Sequence, residues 1–148
     1  MKPISTIGLA LGAVLLTGTI HANTTHFLRV DNQSSLPTTV VVSKVSDGSD
    51  RQQKVFNANT NGGFRFESTC NTDKAKKRDY LVYKGKYPSP GGNAIVGSGT
   101  LLMSAISTGG ICSKVFDFKA TNNNSGTGIT IKARAGDIGV GTLHISDS

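Results

Sequence analysis

Hydrophobic and polar residues alternate in short runs along most of this chain, and clusters of Gly, Asn, Ser and Asp separate the runs. His26–Asn32 places Leu28 and Val30 on one face and polar side chains on the other, and Ile129–Arg134 repeats the pattern. A period of two is that of a β-strand with one buried face. The pattern predicts about eight or nine short strands with turn clusters roughly every 10 to 15 residues.

This pattern predicts an all-β, single-domain antiparallel β-sandwich, with a small β-barrel as the alternative. Strands do not alternate with helical segments, which argues against a parallel α/β sheet. The side chains predicted to fill the core are Leu28, Val30, Val40, Val42, Phe64, Phe66, Leu81, Phe116, Phe118, Ile129, Ile131, Leu143 and Ile145.

The first 22 residues have the pattern of a secretory signal peptide that is cleaved near Ala22. Lys2 provides a positive start, an apolar run follows from Ile7 to Leu16, and small residues precede Asn23. The alternative is a membrane anchor, but the apolar run is short for a span of about 20 residues. The domain is therefore expected to comprise residues 23–148 and to be secreted, or periplasmic in a bacterium that exports it no further.

Cys70 and Cys112 are the two cysteines of the chain, and both lie in the predicted domain. Export exposes them to an oxidising compartment, in which a disulfide is expected. One bridge, Cys70–Cys112, is therefore predicted. The alternative, a redox or metal-binding pair of thiols, lacks a Cys-x-x-Cys spacing and a nearby histidine.

Positive charge is concentrated in the middle of the chain. Without Lys2, the 16 basic and 9 acidic residues become 15 and 9, a net charge of +6. Residues 51–86 contain nine basic and three acidic residues, also a net charge of +6, so the rest of the domain sums to zero. A localised positive field indicates an anionic partner more strongly than a high isoelectric point does. The alternative is a solubilising surface strip.

The stretch from Cys70 to Tyr87 carries most of this charge and all three tyrosines. The predicted ligand-binding residues are Lys74, Lys76, Lys77, Arg78, Tyr83, Lys84, Lys86 and Tyr87. Lys and Arg bind phosphate, sulfate or carboxylate through charge-assisted hydrogen bonds, and tyrosine suits a membrane–water interface or a sugar ring. Asn71–Arg78 is predicted to be a loop or a short helical turn. In the strand that follows, alternation places Tyr80 and Tyr83 on opposite faces, so one of them is expected to belong to the fold.

Catalytic chemistry is poorly represented in the domain. Its histidines are His26 and His144, its one glutamate is Glu67, and the motifs of serine hydrolases, zinc proteases and dinucleotide enzymes are absent from the sequence. If the first and last strands pair, the two histidines could form a site. The alternative is two unrelated surface histidines. We expect a protein that is not an enzyme, with no metal and no cofactor.

The closing segment Gly139-Val-Gly-Thr-Leu-His-Ile places glycines before a final strand. In this feature, in length and in strand spacing the chain resembles the aegerolysins, small secreted β-sandwiches that bind membrane lipid. It lacks their tryptophans, and the resemblance implies no functional residue here. What it implies is a preference for lipid among anionic partners.

These observations predict a secreted binding protein, an interaction or virulence factor, that engages an anionic surface. Phospholipid or phosphoinositide head groups are the expected ligand, with sulfated or acidic glycans second. Nucleic acid would be attracted by the same charge, but the sequence contains no nucleic-acid-binding module and export argues against that partner. The alternative function is a structural or adhesin-type module that binds protein or glycan, with an incidental basic patch. The pattern does not predict an oligomeric state.

Overall fold

The computed structural model describes residues 23–45, 47–70, 75–136 and 138–148. The predicted signal peptide, residues 1–22, lies outside the described residues, so that interpretation remains a prediction. The described residues form nine β-strands and no helix. In this part of the chain no helix has the length and apolar character that a membrane crossing requires.

The strands form two sheets. They are β1 (Asn23–Asn32), β2 (Thr38–Lys44), β3 (Gln52–Phe56), β4 (Thr60–Thr69), β5 (Lys76–Lys84), β6 (Ile95–Thr108), β7 (Ile111–Asn123), β8 (Ile129–Arg134) and β9 (Val140–Asp147). One sheet has the order β4-β1-β9-β8 and the other β3-β2-β5-β6-β7. Among the described strands the two sheets do not close into one, so the predicted β-sandwich is confirmed over the barrel.

The strand pairings are antiparallel except for that of β1 with β9, the first and last strands, which run parallel. The strands carry alternating apolar residues, and the inward face of each sheet buries them against the other sheet. Nearly all of the predicted core residues are buried. Phe118 is half-buried and packs against the core cluster.

The prediction for Leu81 is wrong, because β5 turns its other face inward. Tyr80 and Val82 are buried, whereas Leu81 is half-exposed on the outer face. The Tyr80 ring fits because Gly99 is its partner on β6, and a Cβ at Gly99 would lie 2.6 Å from the Tyr80 hydroxyl oxygen. That hydroxyl donates a hydrogen bond to Oγ1 of Thr121 at 3.0 Å.

The Gly97-Ser-Gly99 segment lies within the single long strand β6. Both glycines face inward, and a Cβ at Gly97 would lie 2.8 Å from Cγ1 of Ile131 in the opposite sheet. The glycines therefore admit large side chains from neighbouring strands, and the strand continues through them.

The predicted disulfide is confirmed and joins the two sheets at one end of the sandwich. Cys70 follows β4, Cys112 lies in β7, and their Cα atoms are 5.9 Å apart. The bridge fastens the tip of the β6–β7 hairpin, a member of one sheet, to the end of β4 in the other.

We expect the double substitution Cys70→Ala/Cys112→Ala to lower the free energy of unfolding by about 4 kcal/mol. The reason is that the bridge closes a loop of about 43 residues, which restricts the unfolded chain. Urea denaturation of the oxidised protein and the variant measures the difference, and reduced wild-type protein is the control. A loss below about 1 kcal/mol would contradict this role.

Candidate functional site: a cationic cleft at one end of the sandwich

The structure separates the predicted ligand-binding residues into two groups. Lys76, Lys77 and Arg78 begin strand β5, whereas Tyr83 and Lys84 end it. Arg78 and Tyr83 are five residues apart on the extended strand, which separates their Cα atoms by roughly 17 Å. Lys86 and Tyr87 follow in the next loop and belong to the second group, and Lys74 lies outside the described residues. The predicted single patch is therefore two surfaces.

Residues 76–78, predicted to belong to a loop or a helical turn, are part of β5. Because side chains alternate along a strand, the face that buries Tyr80 also carries Arg78 and Lys76. These two side chains point between the sheets, at the place where the hydrophobic core ends. Lys77 points outward and is exposed.

A cleft of about 340 Å³, which we call the cationic cleft, lies where β3 and β5 begin and β4 approaches its end. It is lined by the cations Arg51, Arg65, Lys76 and Arg78, the anions Asp50 and Glu67, and Gln52 and Phe66. An adjoining hollow of about 560 Å³ shares Asp50, Lys76 and Arg78 and adds Lys44 and Lys77. Its volume is in the range of sites that hold small ligands.

Arg78 is the most buried cation of the cleft, with 11% of its side chain exposed. Its Nη1 donates to the carbonyl oxygen of Lys77 at 2.9 Å, and its Nη2 donates to Oδ2 of Asp50 at 3.5 Å. The Asp50 side chain is 65% exposed, and an ion pair with a solvated partner at this distance contributes little. The guanidinium, which has five N–H donors, thus retains capacity for an oxyanion.

Lys76 lies beside Arg78, and its Nζ donates a hydrogen bond to the carbonyl oxygen of Glu67. Burial, and secondarily the charge of Arg78, lower the pKa of Lys76 below its usual value. Both causes disfavour the ammonium form, and a bound anion would favour it. The cleft therefore holds positive charge that an anionic ligand would stabilise.

The second group forms a tyrosine pair on the outer face of the five-stranded sheet. The Tyr83 and Tyr87 rings stack with centroids 4.3 Å apart and an interplanar angle of 22°. The loop that carries Tyr87 is held by Thr39, whose Oγ1 accepts from the Tyr87 N–H and donates to the Gly85 carbonyl oxygen. Lys84 donates from Nζ to the carbonyl oxygen of Thr127 at 2.8 Å and so braces the fold.

The sequence interpretation omitted Arg51 and Arg65 from the site, although both contribute to the positive field. Arg51 precedes β3, which is in the same sheet as Arg78, and Arg65 lies within β4 of the other sheet. The tertiary structure therefore brings both to the cleft that Arg78 lines. The sequence could indicate Arg65 only as an exposed arginine on an alternating strand. That pattern does not distinguish a residue that contacts a ligand from one that contacts solvent.

The two histidines do not form a site. His26 is fully buried and was wrongly considered a surface residue in the simpler of the two sequence interpretations. The partner of His144 on β1 is Asp31, which is five residues after His26. The His144 Nδ1 lies 3.5 Å from the Asp31 carboxylate. In the described part of the chain, no group of three or more His, Cys, Asp or Glu residues is arranged to hold a metal ion.

His26 connects the two sheets near the disulfide. Its Nε2 donates to the carbonyl oxygen of Ser104 in β6 at 2.9 Å, since a carbonyl only accepts. Nδ1 is then the acceptor, and the Ser68 hydroxyl donates to it at 3.2 Å. Burial is the main cause that lowers the pKa of His26, and the cations Lys114 and Lys76 add to it.

The fold and the cleft define a disulfide-linked β-sandwich with a cleft lined mainly by cations at the disulfide end. No family model, curated protein or solved structure gives a significant match to the chain.

We expect acid to destabilise the fold through His26. Because its pKa is lowered in the folded state, the unfolded chain binds the proton more readily, and stability falls as pH drops below about 6.5. The thermal midpoint should decrease between about pH 7.5 and pH 5, and His26→Gln, although less stable at neutral pH, should flatten that dependence. An equally steep slope in His26→Gln would contradict the assignment.

Proposed function

We propose that this protein is a secreted, non-enzymatic binding protein whose cationic cleft holds the phosphate-bearing head groups of anionic membrane lipids. The observation that carries the proposal is the position of Arg78, desolvated between two sheets and paired with a solvent-exposed carboxylate. Burial of a charge is costly unless it is paired. The pairing with Asp50 is weak because that carboxylate is solvated, and a ligand oxyanion would add a closer partner.

The local charge supports an anionic ligand. The cleft and its adjoining hollow are lined by six cations, Lys44, Arg51, Arg65, Lys76, Lys77 and Arg78, and two anions, Asp50 and Glu67, a net charge of +4. Apolar walls and like charges raise the local concentration of an anionic partner. The same charge gives long-range attraction to a membrane that contains anionic lipid.

A phosphate group suits the side chains that line this cleft. Three of its four cations are arginines, Arg51, Arg65 and Arg78, and the planar guanidinium presents paired donors that match the oxygens of phosphate. The volume of about 340 Å³ accommodates a head group. A sulfated glycan offers similar oxygens, and the experiment below distinguishes the two ligands.

Export is part of the proposal. The disulfide Cys70–Cys112 joins the two sheets, and structural disulfides persist in oxidising compartments. The pattern of residues 1–22 supports the same location. The protein would then meet lipid on the outer surface of a cell.

We expect Arg65→Gln to weaken binding to vesicles of phosphatidylcholine and phosphatidylserine by roughly fivefold, because one basic residue near an anionic surface contributes about 1 kcal/mol. Co-sedimentation at low and high salt measures the affinity. Lys86→Gln is the matched control, since it removes the same charge from an exposed residue outside the cleft, and should reduce binding much less.

Three results would contradict the proposal. Equal losses in Arg65→Gln and Lys86→Gln would show that overall charge and not the cleft drives binding. Equal binding to neutral and anionic vesicles would remove the role of the head group. Binding to sulfated glycan that exceeds binding to vesicles, with the same dependence on Arg65, would assign the cleft to glycan.

A further inference from the structure

The most exposed apolar side chains lie at the same end of the sandwich as the cationic cleft. Those at this end are Val45, Ile106, Ile111, Val115 and Ile138. Ile111 and Ile138 are the extreme cases, with 70% and 69% of each residue exposed. Large exposed apolar residues that cluster mark a surface that meets another apolar phase.

The β6–β7 hairpin carries three of them on one face. Strand β5 begins at Lys76, whose partner on β6 is Met103, so the paired segments 104–108 and 111–115 extend past the first residue of β5. In this extension Ser104 pairs with Val115. The same register places Ile106 and Ile111 on the face of the hairpin that carries Val115. On this outward face, exposed Ile106, Ile111 and Val115 alternate with serine and threonine.

The inward face of the hairpin is anchored to the rest of the fold. Cys112 is bonded to Cys70, and the carbonyl oxygen of Ser104 accepts the hydrogen bond from His26. Gly109 and Gly110, with φ of 60° and 84°, form the tight turn at the tip, a conformation that glycine adopts without strain. The hairpin is thus a fixed arm that presents isoleucines outward.

The β8–β9 loop adds Ile138 beside this arm. Gly136 in that loop bridges to Phe116 of β7, and Gly139 approaches Lys114 so closely that a Cβ there would lie 3.0 Å from the Lys114 Cβ. These contacts place Ile138 next to the hairpin.

We propose that the β6–β7 hairpin and Ile138 insert into the acyl region of an anionic bilayer while the cationic cleft holds a head group. This inference rests on the proposed function and adds the part of the protein that enters the membrane. The charge complementarity comes from Lys76 and Lys77, which begin β5 at the base of the hairpin, the first directed between the sheets and the second outward. Cations beside exposed isoleucines are the arrangement of a surface that lies in a lipid interface.

Tryptophan fluorescence tests the insertion directly, because the chain contains no tryptophan. Ile111→Trp places a single reporter at the hairpin tip, with Val115→Trp as a second reporter. The control is Val55→Trp, since Val55 is 41% exposed and pairs with Thr39, which in turn pairs with Tyr83 at the far end of β5. Vesicles of phosphatidylcholine and phosphatidylserine with brominated acyl chains serve as the probe.

Both hairpin reporters should shift to shorter wavelength and be quenched by the bromines, and Val55→Trp should show neither change. The double variant Ile106→Ser/Ile111→Ser should bind the vesicles roughly tenfold more weakly, because less apolar surface leaves water. It should bind a soluble inositol phosphate as tightly as the wild type does.

Vesicle binding without a shift or quenching at Ile111 and Val115 would overturn the insertion and leave the proposed function intact. A shift at Val55 in place of the hairpin would overturn the orientation. If the wild-type protein bound neither the vesicles nor the inositol phosphate, the proposed function would be overturned and, with it, this inference.

Discussion

Strand β5 has one inward face, and that face must carry both core residues and cations. Tyr80 and Val82 fill the core, and the alternation of a strand then directs Arg78 and Lys76 between the same two sheets. The strand cannot rotate to expose them without exposing Tyr80, whose hydroxyl is bonded to Thr121. The packing of the core therefore fixes the position of these two cations in the cationic cleft.

The disulfide end of the sandwich combines cross-links between the sheets with exposed isoleucines and partly buried cations. The bridge between Cys70 and Cys112 and the buried His26 join the sheets there, next to side chains that favour solvent or ligand. Exposed isoleucines and partly buried cations each reduce stability on their own. They are concentrated at the cross-linked end, where the disulfide offsets this cost.

The fold was largely predictable because alternation over strands such as β1 and β8 is a strong local signal. The face of β5 was not predictable, since Leu81 and Tyr80 are both suited to a core and the choice depends on the space left by Gly99 in another strand. The disulfide followed from the presence of two cysteines in a chain whose first residues predict export. The parallel pairing of β1 with β9 has no local signal at all.

The candidate site was predictable in part. Lys76, Lys77 and Arg78 were identified from charge density, which needs no knowledge of topology. Their separation from Tyr83 and Tyr87 follows from the extended length of β5, which the loop or helical turn predicted for residues 71–78 would have shortened. Arg51 precedes β3 and Arg65 lies in β4, so only the tertiary structure reveals that both line the cleft.

Nuclear magnetic resonance of the labelled protein during titration with a soluble inositol phosphate tests whether the cationic cleft is the binding site. We expect the amide and guanidinium signals of Arg51, Arg65 and Arg78 to shift together with a single affinity, and the amide signals of Lys86 and Tyr87 to stay unchanged. Shifts confined to the loop that holds Lys86 and Tyr87, or no shifts at the cleft under saturating ligand, would contradict it.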